Sequence, residues 1–534
     1  MEEHYFGAML DCSRNGVMRP EQVKRFASIL RRFGYNALLL YTEDTYEIEG
    51  EPFFGYMRGR YSIAELQDID DYCASIGVEL IPCIQVLAHL RQIFRWPPYR
   101  DIHDIDDIML VDEKKSEELI EKMIRSCRKA FRSHHIQLGM DEAGHLGRGK
   151  HQDLFGAEGA SDILLRHINR VTEIAARYDF KPLMWADMFY KLANHGQYFG
   201  HNIVFHQDVR DKLPKEMHLV YWDYYQTDGK MYTDMMKSGK TLDPELWYAG
   251  GAWTWMGFVP QNRFSLKTQR LAMKAAREQD IHNVLITCWG DDGAECNFFS
   301  VLPTLFACRK FYEGETNMGK IAEEFQRITG ESFRAFLHLD DPNLIAHSPI
   351  CAANPSRWAL YNDPFLRLLD TRVQPEGAAD YKKVTRRLRY YAKHTAYPKL
   401  FDMEAKLSDF LSIKYDLGVR TKKAYDEGKE AVSAILPDYR LAQKKLKIFF
   451  EAYRDLWLEE NKPFGWEVQA QRIGGVLLRL KDCEDRLSDF AAGKIDRIDE
   501  LDAKVHDLDE GTPGEHNKTG TFQNWRDTVT ASVI

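Results

Sequence analysis

From the N-terminus to about residue 312 the chain alternates between two textures. Short apolar runs close on polar or aromatic residues. Between them lie stretches whose apolar residues recur at three and four. The runs are "YFGAMLDCSR", "NALLLYTED", "VELIPCIQVLAH", "HIQLGMDEAGH", "PLMWADM", "HLVYWDYY", "LWYAGGAWTW" and "VLITCWGDD". Runs this apolar read as strands buried on both faces, and the stretches between them as amphipathic helices. "PEQVKRFASILRRFG" is an example: Pro20 suits a helix start, and Gly34, like Gly77 further on, suits a helix end. Eight strand–helix units in roughly 300 residues predict an α/β fold, a (β/α)8 TIM barrel. No glycine-rich phosphate loop follows the first strand, which counts against an open dinucleotide-binding sheet.

After about residue 340 the pattern is helical throughout, with "DYKKVTRRLRYYAKHT", "LFDMEAKLSDFLSIKYDLGVRTKKAYDEG", "LPDYRLAQKKLKIFFEAYRDLWLEEN" and "GWEVQAQRIGGVLLRLKDCEDRLSDFAAG". Their apolar spacing predicts packed amphipathic helices, hence a second, all-α domain. The expected domains are residues 1–335, the barrel, and 336–534, the helical part. The bridge "HLDDPNLIAHSPICAANPSRW", with Pro342, Pro349 and Pro355, reads as a linker. The segment "EGTPGEHNKTGTFQNW" reads as loop. Within it Asn517-Lys518-Thr519 matches a glycosylation triplet by pattern alone. The helical domain reads as scaffold or dimer interface, so a homodimer is possible, and "PFGWEVQAQRIGG" carries groups able to reach a neighbouring active site.

A chain of 534 residues is too long for one ordinary core. Its net charge of −9 offers nothing to neutralise a phosphate backbone in bulk, so nucleic acid is not an expected partner. No apolar stretch is long enough to span a bilayer, and no signal-peptide pattern opens the chain. The nine cysteines are scattered, with no CxxC pair, so neither structural zinc nor a disulfide framework is expected, and a cytoplasmic location fits. No cofactor or metal is expected: "LAH" offers one histidine where a hydrolytic metal barrel would carry His-x-His, and His134-His135 should lie on the far face.

Active sites of such barrels lie at the strand C-terminal ends. There the first strand carries Asp11 and Arg14, the second Glu43 and Asp44, the third His89. The fourth carries Asp141, Glu142 and His145, and the fifth Trp185 and Asp187. The sixth carries Trp222, Asp223, Tyr224 and Tyr225, the seventh Trp253 and Trp255, and the eighth Trp289, Asp291, Asp292 and Glu295. Any one of these acids read alone is a helix cap or solvated loop residue, and any one indole is core. Together, carboxylates and indoles on one rim suit carbohydrate, whose hydroxyls need bidentate acceptors and whose C–H faces need flat apolar walls.

Asp141 and Glu142 pose a geometric problem. Ordinary glycosidases hold two carboxylates about 5 Å apart or about 6.5–9.5 Å apart, on opposite sides of the scissile bond. Sequence neighbours at one strand end cannot straddle a bond. Either a distant acid such as Asp291 or Asp292 is the second group, or the substrate supplies its own nucleophile, as substrate-assisted enzymes on 2-acetamido sugars do. In the latter case one acid protonates the leaving group and its neighbour orients the acetamide. Repulsion between the two raises the pKa of one, which helps it stay protonated. A two-carboxylate glycosidase on unsubstituted sugars and a non-catalytic carbohydrate-binding barrel are the alternatives; the intact acid pair counts against the second.

"LGMDEAGH" resembles the strand-four signature of family 20 glycoside hydrolases, the β-N-acetylhexosaminidases. "LDCSR", "QVLAH", "LMWADM", "YWDYY" and "CWGDDGAE" are similar to further segments of that family in the same order, over roughly residues 1–312. A barrel near the N-terminus followed by a helical domain resembles the cytoplasmic bacterial exo-acting branch. No small α/β domain of the kind many members carry precedes the barrel, and His89 sits in "LAH" rather than Pro-Gly-His. The resemblance implies an exo-β-N-acetylhexosaminidase acting on N-acetylated amino-sugar glycosides. It makes Glu142 the general acid and then base, and has Asp141 hold the acetamide nitrogen. Tyr224, or else Tyr225, would donate to the acetamide oxygen. Arg14 would clamp the 3- and 4-hydroxyls, and Asp291 O4 or O6. Trp185 and Trp289 would wall the acetamide pocket, with Trp253 or Trp255 completing it. His89 would support Asp141 or the acid, and Glu43 and Asp44 compete for one acidic position.

Overall fold

The computed structural model describes residues 4–345, 353–507 and 525–532. Eight parallel strands close into a barrel in sequence order. They are β1 (Phe6–Asp11), β2 (Ala37–Tyr41), β3 (Glu79–Cys83), β4 (His135–Gln137), β5 (Lys181–Trp185), β6 (His218–Trp222), β7 (Trp247–Gly251) and β8 (Val284–Cys288). Closure runs through β1 against β8, with Phe6 opposite Val284 and Leu10 opposite Cys288. Side chains from seven of the eight strands fill the interior, among them Met9, Leu39, Tyr41, Ile81, Trp185, Val220, Ala249 and Leu285. Such layering makes the barrel a packed core with its working face at the strand ends. Helices form where the spacing predicts: Pro20–Arg32 starts at its proline and buries Val23, Phe26, Ala27, Ile29 and Leu30. Ile63–Ser75 starts at a capping box between Ser62 and Glu65.

The fourth strand is shorter than its apolar run. Its ladder ends at Gln137 because Gly139, Met140 and Glu142 take left-handed backbone angles, φ +72°, +67° and +56°. Hydrogen bonds still tie this segment to β5, from Leu138 N to Leu183 O at 2.8 Å and from Trp185 N to Gly139 O at 3.1 Å.

The chain divides into two compact units. The first comprises Met1–Ala252, Ser265–Trp289 and Thr304–Ile321; the second comprises Trp253–Phe264, Gly290–Pro303 and Ala322–Ile534. The segments that follow β7 and β8 therefore belong to the second unit. Its helices include Gly377–Tyr391, Pro398–Lys414, Leu417–Glu427, Lys429–Glu460 and Trp466–Ala491. Pro437 lies inside the 32-residue helix rather than at its start, because a continuous buried stripe from Val432 and Ile435 through Tyr439, Ala442 and Leu446 carries across it.

The bridge is not a linker where it is described. Leu339–Asn343 are buried in a 3-10 turn that contains Pro342, and Pro355–Tyr361 form a helix buried along its length. Asp340 explains the burial of the first part, accepting from the backbone N–H groups of Asn262 at 2.9 Å and Arg263 at 2.6 Å. Pro349, the loop reading over 510–524 and the Asn517-Lys518-Thr519 triplet lie outside the described residues.

Candidate active site

The two acids at the end of β4 occupy unlike environments. Asp141 is buried, its side chain 10% exposed, whereas that of Glu142 is 52% exposed. Asp141 Oδ1 accepts from Gln85 Nε2 at 2.7 Å, and Oδ2 lies 3.2 Å from His89 Nε2. Behind the imidazole, His89 Nδ1 is 3.7 Å from Asp107 Oδ2. Burial opposes ionisation of Asp141, but the charge of His89 and the hydrogen bonds reverse this and hold the carboxyl below the usual range. Burial likewise opposes protonation of His89, yet the Asp141 carboxylate pushes its pKa up to about 10.

Glu142 shifts the other way. Partial desolvation and the adjacent Asp141 charge raise its pKa, and His89, 3.7 Å from Oε2, opposes them. Because its side chain is half open, the Asp141 charge is the firmer cause. The pair is thus one carboxylate shifted towards its ionised form and one shifted towards its protonated form, the inequality that general acid catalysis beside a fixed anion requires.

Gln85 and Gly139 set this geometry together. Met140 N donates to Gln85 Oε1 at 3.0 Å while the same amide's nitrogen serves Asp141. A Cβ on Gly139 would meet Gln85 Oε1 at 2.0 Å, and the residue sits at φ +72°. Gly139→Ala is therefore expected to destabilise the fold by about 2 kcal/mol through backbone strain and displacement of Gln85. It should also lower activity more than tenfold. Chemical denaturation and initial rates check both.

The remaining wall comes from five strands. Arg14 Nε meets Glu43 Oε1 at 2.9 Å, and Tyr41 OH donates to the same oxygen at 3.2 Å. Asp44 instead turns to Arg58 at 3.1 Å, so of the two competing acids Glu43 faces the arginine. Trp289 Nε1 donates to Tyr224 OH at 2.9 Å. Its ring lies 4.8 Å from that of Tyr41 and 5.9 Å from that of Trp185. Trp185 is fully buried, and its indole N–H has no hydrogen-bond partner among the described residues. Tyr224 is buried and stacked on Trp222 at 5.5 Å, whereas Tyr225 is 39% exposed. Asp223 anchors this turn by accepting from Tyr225 N at 3.0 Å and Tyr221 OH at 2.7 Å; burial pushes its pKa up to about 7. His145 turns outward to Asp106 at 2.5 Å.

The structure thus brings Arg14, Glu43, His89, Asp141, Glu142, Trp185, Tyr224 and Trp289 onto the strand ends of the first unit, with Tyr225 beside Tyr224. Trp253 and Asp291 belong to the second unit. There Trp253 is buried and stacks on Trp255 at 4.6 Å, and Asp291 is half-buried. Asp292 is held by Arg357, by Arg472 at 2.9 Å and by the N–H of Trp525 at 2.6 Å. Glu295 meets Arg357 at 2.8 Å. In "PFGWEVQAQRIGG", Gln469 donates to Gly293 O at 2.7 Å and Arg472 binds Asp292, so these groups hold the segment after β8. Gln85, Tyr41, Asp107 and Lys191 also line the acid pair or its surroundings, although sequence reasoning gave them no part. Among the described residues no group of three or more His, Cys, Asp and Glu is placed to hold a metal ion, and no helix is long and apolar enough to cross a membrane.

A closed parallel barrel with an unequal acid pair and an aromatic wall at its strand ends is an arrangement suited to carbohydrate. Residues 332–519 match the model of the Glycoside Hydrolase 20C C-terminal domain. Hexosaminidase D of Bos taurus is 25% identical over 245 residues, covering 42% of this chain and 63% of that protein. Hexosaminidase D of Homo sapiens is 25% identical over 241 residues, covering 41% and 46%. The chain thus spans less than two thirds of the length of these relatives. Among solved structures, the exo β-N-acetylglucosaminidase of Vibrio harveyi with N-acetylglucosamine is 13% identical, with a TM-score of 0.46 over 61% of this chain and 58% of that one. Over residues 332–519 the chain is thus similar to the C-terminal domain of the 20C glycoside hydrolases.

Proposed function

We propose that the protein is an exo-acting β-N-acetylhexosaminidase that removes terminal β-linked GlcNAc or GalNAc with retention, through an oxazoline formed by the substrate's own acetamide. The observation that carries this reading is the inequality of the acid pair: Asp141 buried, ionised and paired with His89, Glu142 half open with a raised pKa. Glu142 gives its proton to the leaving oxygen, then takes one from the water that opens the oxazoline. Asp141 accepts from the acetamide N–H and stabilises the positive charge that grows there as the carbonyl oxygen attacks the anomeric carbon. Tyr224 OH, fixed by Trp289, orients that oxygen, and Trp185 and Trp289 wall the methyl group. Arg14, held by Glu43, binds sugar hydroxyls. N-acetylated amino-sugar glycosides are the substrate class and a cytoplasmic location goes with this reading; the helical domain would serve as scaffold or as a homodimer interface.

The two-carboxylate alternative loses one candidate nucleophile, because both oxygens of Asp292 are engaged by Arg357, Arg472 and Trp525 N. Hydrolysis of chromogenic β-GlcNAc, β-GalNAc and β-glucoside substrates, each with and without GlcNAc-thiazoline and EDTA, tests the proposal. Cleavage of the acetamido sugars alone, blocked by thiazoline and indifferent to EDTA, is expected. Equal cleavage of the glucoside would overturn it.

A further inference from the structure

Glu142 has a second carboxylate beside it that the scheme above leaves unused. Asp187 lies at the start of the short helix Asp187–Ala193 and is fully buried. Its Oδ2 accepts from the backbone N–H of Glu142 at 3.0 Å and from Lys191 Nζ, one helical turn on, at 2.9 Å. Among the described residues Oδ1 has no hydrogen-bond partner. An acid four residues before a base is the favourable order on a helix, so the pair is locally preformed. The N–H it holds belongs to a residue at φ +56°, a conformation that persists only when its surroundings enforce it.

The charges around Glu142 fall into a pattern. On the strand side Asp141 is paired with His89, itself backed by Asp107; on the helix side Asp187 is paired with Lys191. Lys191 also lies 6.0 Å above the ring of Tyr198, whose hydroxyl is spent on Trp222 O at 2.7 Å. Two of the three carboxylates thus have a cation at 3.2 Å or closer, while Glu142 has His89 at 3.7 Å.

We propose that the Asp187–Lys191 pair is a positioning device for Glu142: Asp187 holds the acid's backbone in its left-handed turn and places a second, separately compensated anion behind its carboxyl. The inference rests on the reading of Glu142 as the proton donor. Asp187 touches no reacting atom and acts only through its neighbour. A negative charge on that side favours the protonated acid; burial pushes the Asp187 pKa up, and Lys191 at 2.9 Å opposes that shift and so favours the charge.

The test uses the full chain, two β-GlcNAc substrates and a set of variants. One substrate has a methylumbelliferyl or alkyl leaving group that needs a proton; the other has a dinitrophenyl group that departs without one. Asp187→Asn keeps an acceptor for the Glu142 N–H and removes the charge, and Lys191, a quarter exposed, can turn to solvent. The alkaline limb of kcat/KM on the proton-requiring substrate should move at least half a pH unit lower. The dinitrophenyl rate should stay within threefold of wild type. Asp187→Leu, which also removes the acceptor, should lose a further tenfold or more in kcat on the proton-requiring substrate, with KM within threefold. In a Glu142→Gln background, Asp187→Asn should add no further loss. An unmoved alkaline limb, equal losses on both leaving groups, or an added loss in the Glu142→Gln background overturns the proposal. If Asp187→Leu fails to fold, the limb of Asp187→Asn decides alone. Full activity of Glu142→Gln would instead bring down the proton-donor reading itself.

Discussion

Glu142→Gln is expected to lower kcat/KM on substrates with poor leaving groups by about 10²- to 10⁴-fold, the usual contribution of a positioned proton donor. KM should change little, because the carboxyl acts on the bond that breaks rather than on the sugar hydroxyls. The fold should survive, since the half-open side chain is tied only loosely, to His89 at 3.7 Å, and exposed substitutions of this kind stay within about 0.5 kcal/mol. The pH profile adds a sign. As the proposed proton donor Glu142 must be protonated to act, so wild-type activity should fall as pH rises through its raised pKa. The variant should lack that limb. Steady-state rates across pH with unchanged thermal unfolding check the prediction; a variant of normal turnover refutes it.

Asp141→Ala is expected to cost both stability and rate. It strands His89 and the Gln85 amide in a buried setting, and loss of one partner of such a pair costs about 3 kcal/mol. The loss depends on pH in a defined direction. The folded-state pKa of His89 is about 10, above its ordinary unfolded value of about 6.5. Its contribution is therefore complete below about pH 6.5 and is lost as pH rises through 10. Asp141 is held below its ordinary value, so its contribution is present above about pH 4 and is lost as pH falls through the depressed value. The stability gap between wild type and variant should be widest near pH 5–6 and should shrink towards pH 10. Denaturant unfolding at several pH values measures it, and a gap that widens with pH would contradict the assignment of the pair. Turnover should fall about 10²-fold or more, because the charge that develops on the acetamide loses its counter-anion.

The barrel was legible because its strands are buried on both faces and interrupt the helical period with unbroken apolar runs. The rim was legible through one topological fact, that strand C-terminal ends share a face. Arg14, Glu43, Asp141, Glu142, Tyr224 and Trp289 could be placed there without coordinates. Gln85 and Tyr41 could not, since each sits inside an apolar run and reads as core. Lys191 reads as an ordinary solvated lysine, and only the turn of its helix brings it to Asp187. Gly139 passed as part of the fourth strand, and the left-handed angles of Met140 and Glu142 belong to residues that rarely adopt them. The bridge was misread because its prolines suggest an extended linker. Buried Asp340, bonded to two backbone N–H groups, makes the described part of it a packed turn instead.

The central claim is that the substrate's acetamide, and not a protein carboxylate, attacks the anomeric carbon. The most direct measurement compares aryl β-glucosaminides that carry N-acetyl, N-fluoroacetyl, N-difluoroacetyl and N-trifluoroacetyl groups. Fluorine withdraws electrons from the carbonyl oxygen and weakens it as a nucleophile while barely changing its size. If the acetamide attacks, kcat should fall steeply with each fluorine, by orders of magnitude across the series. A flat series would mean that a protein group makes the bond, and the account given for Asp141 and Glu142 would be wrong.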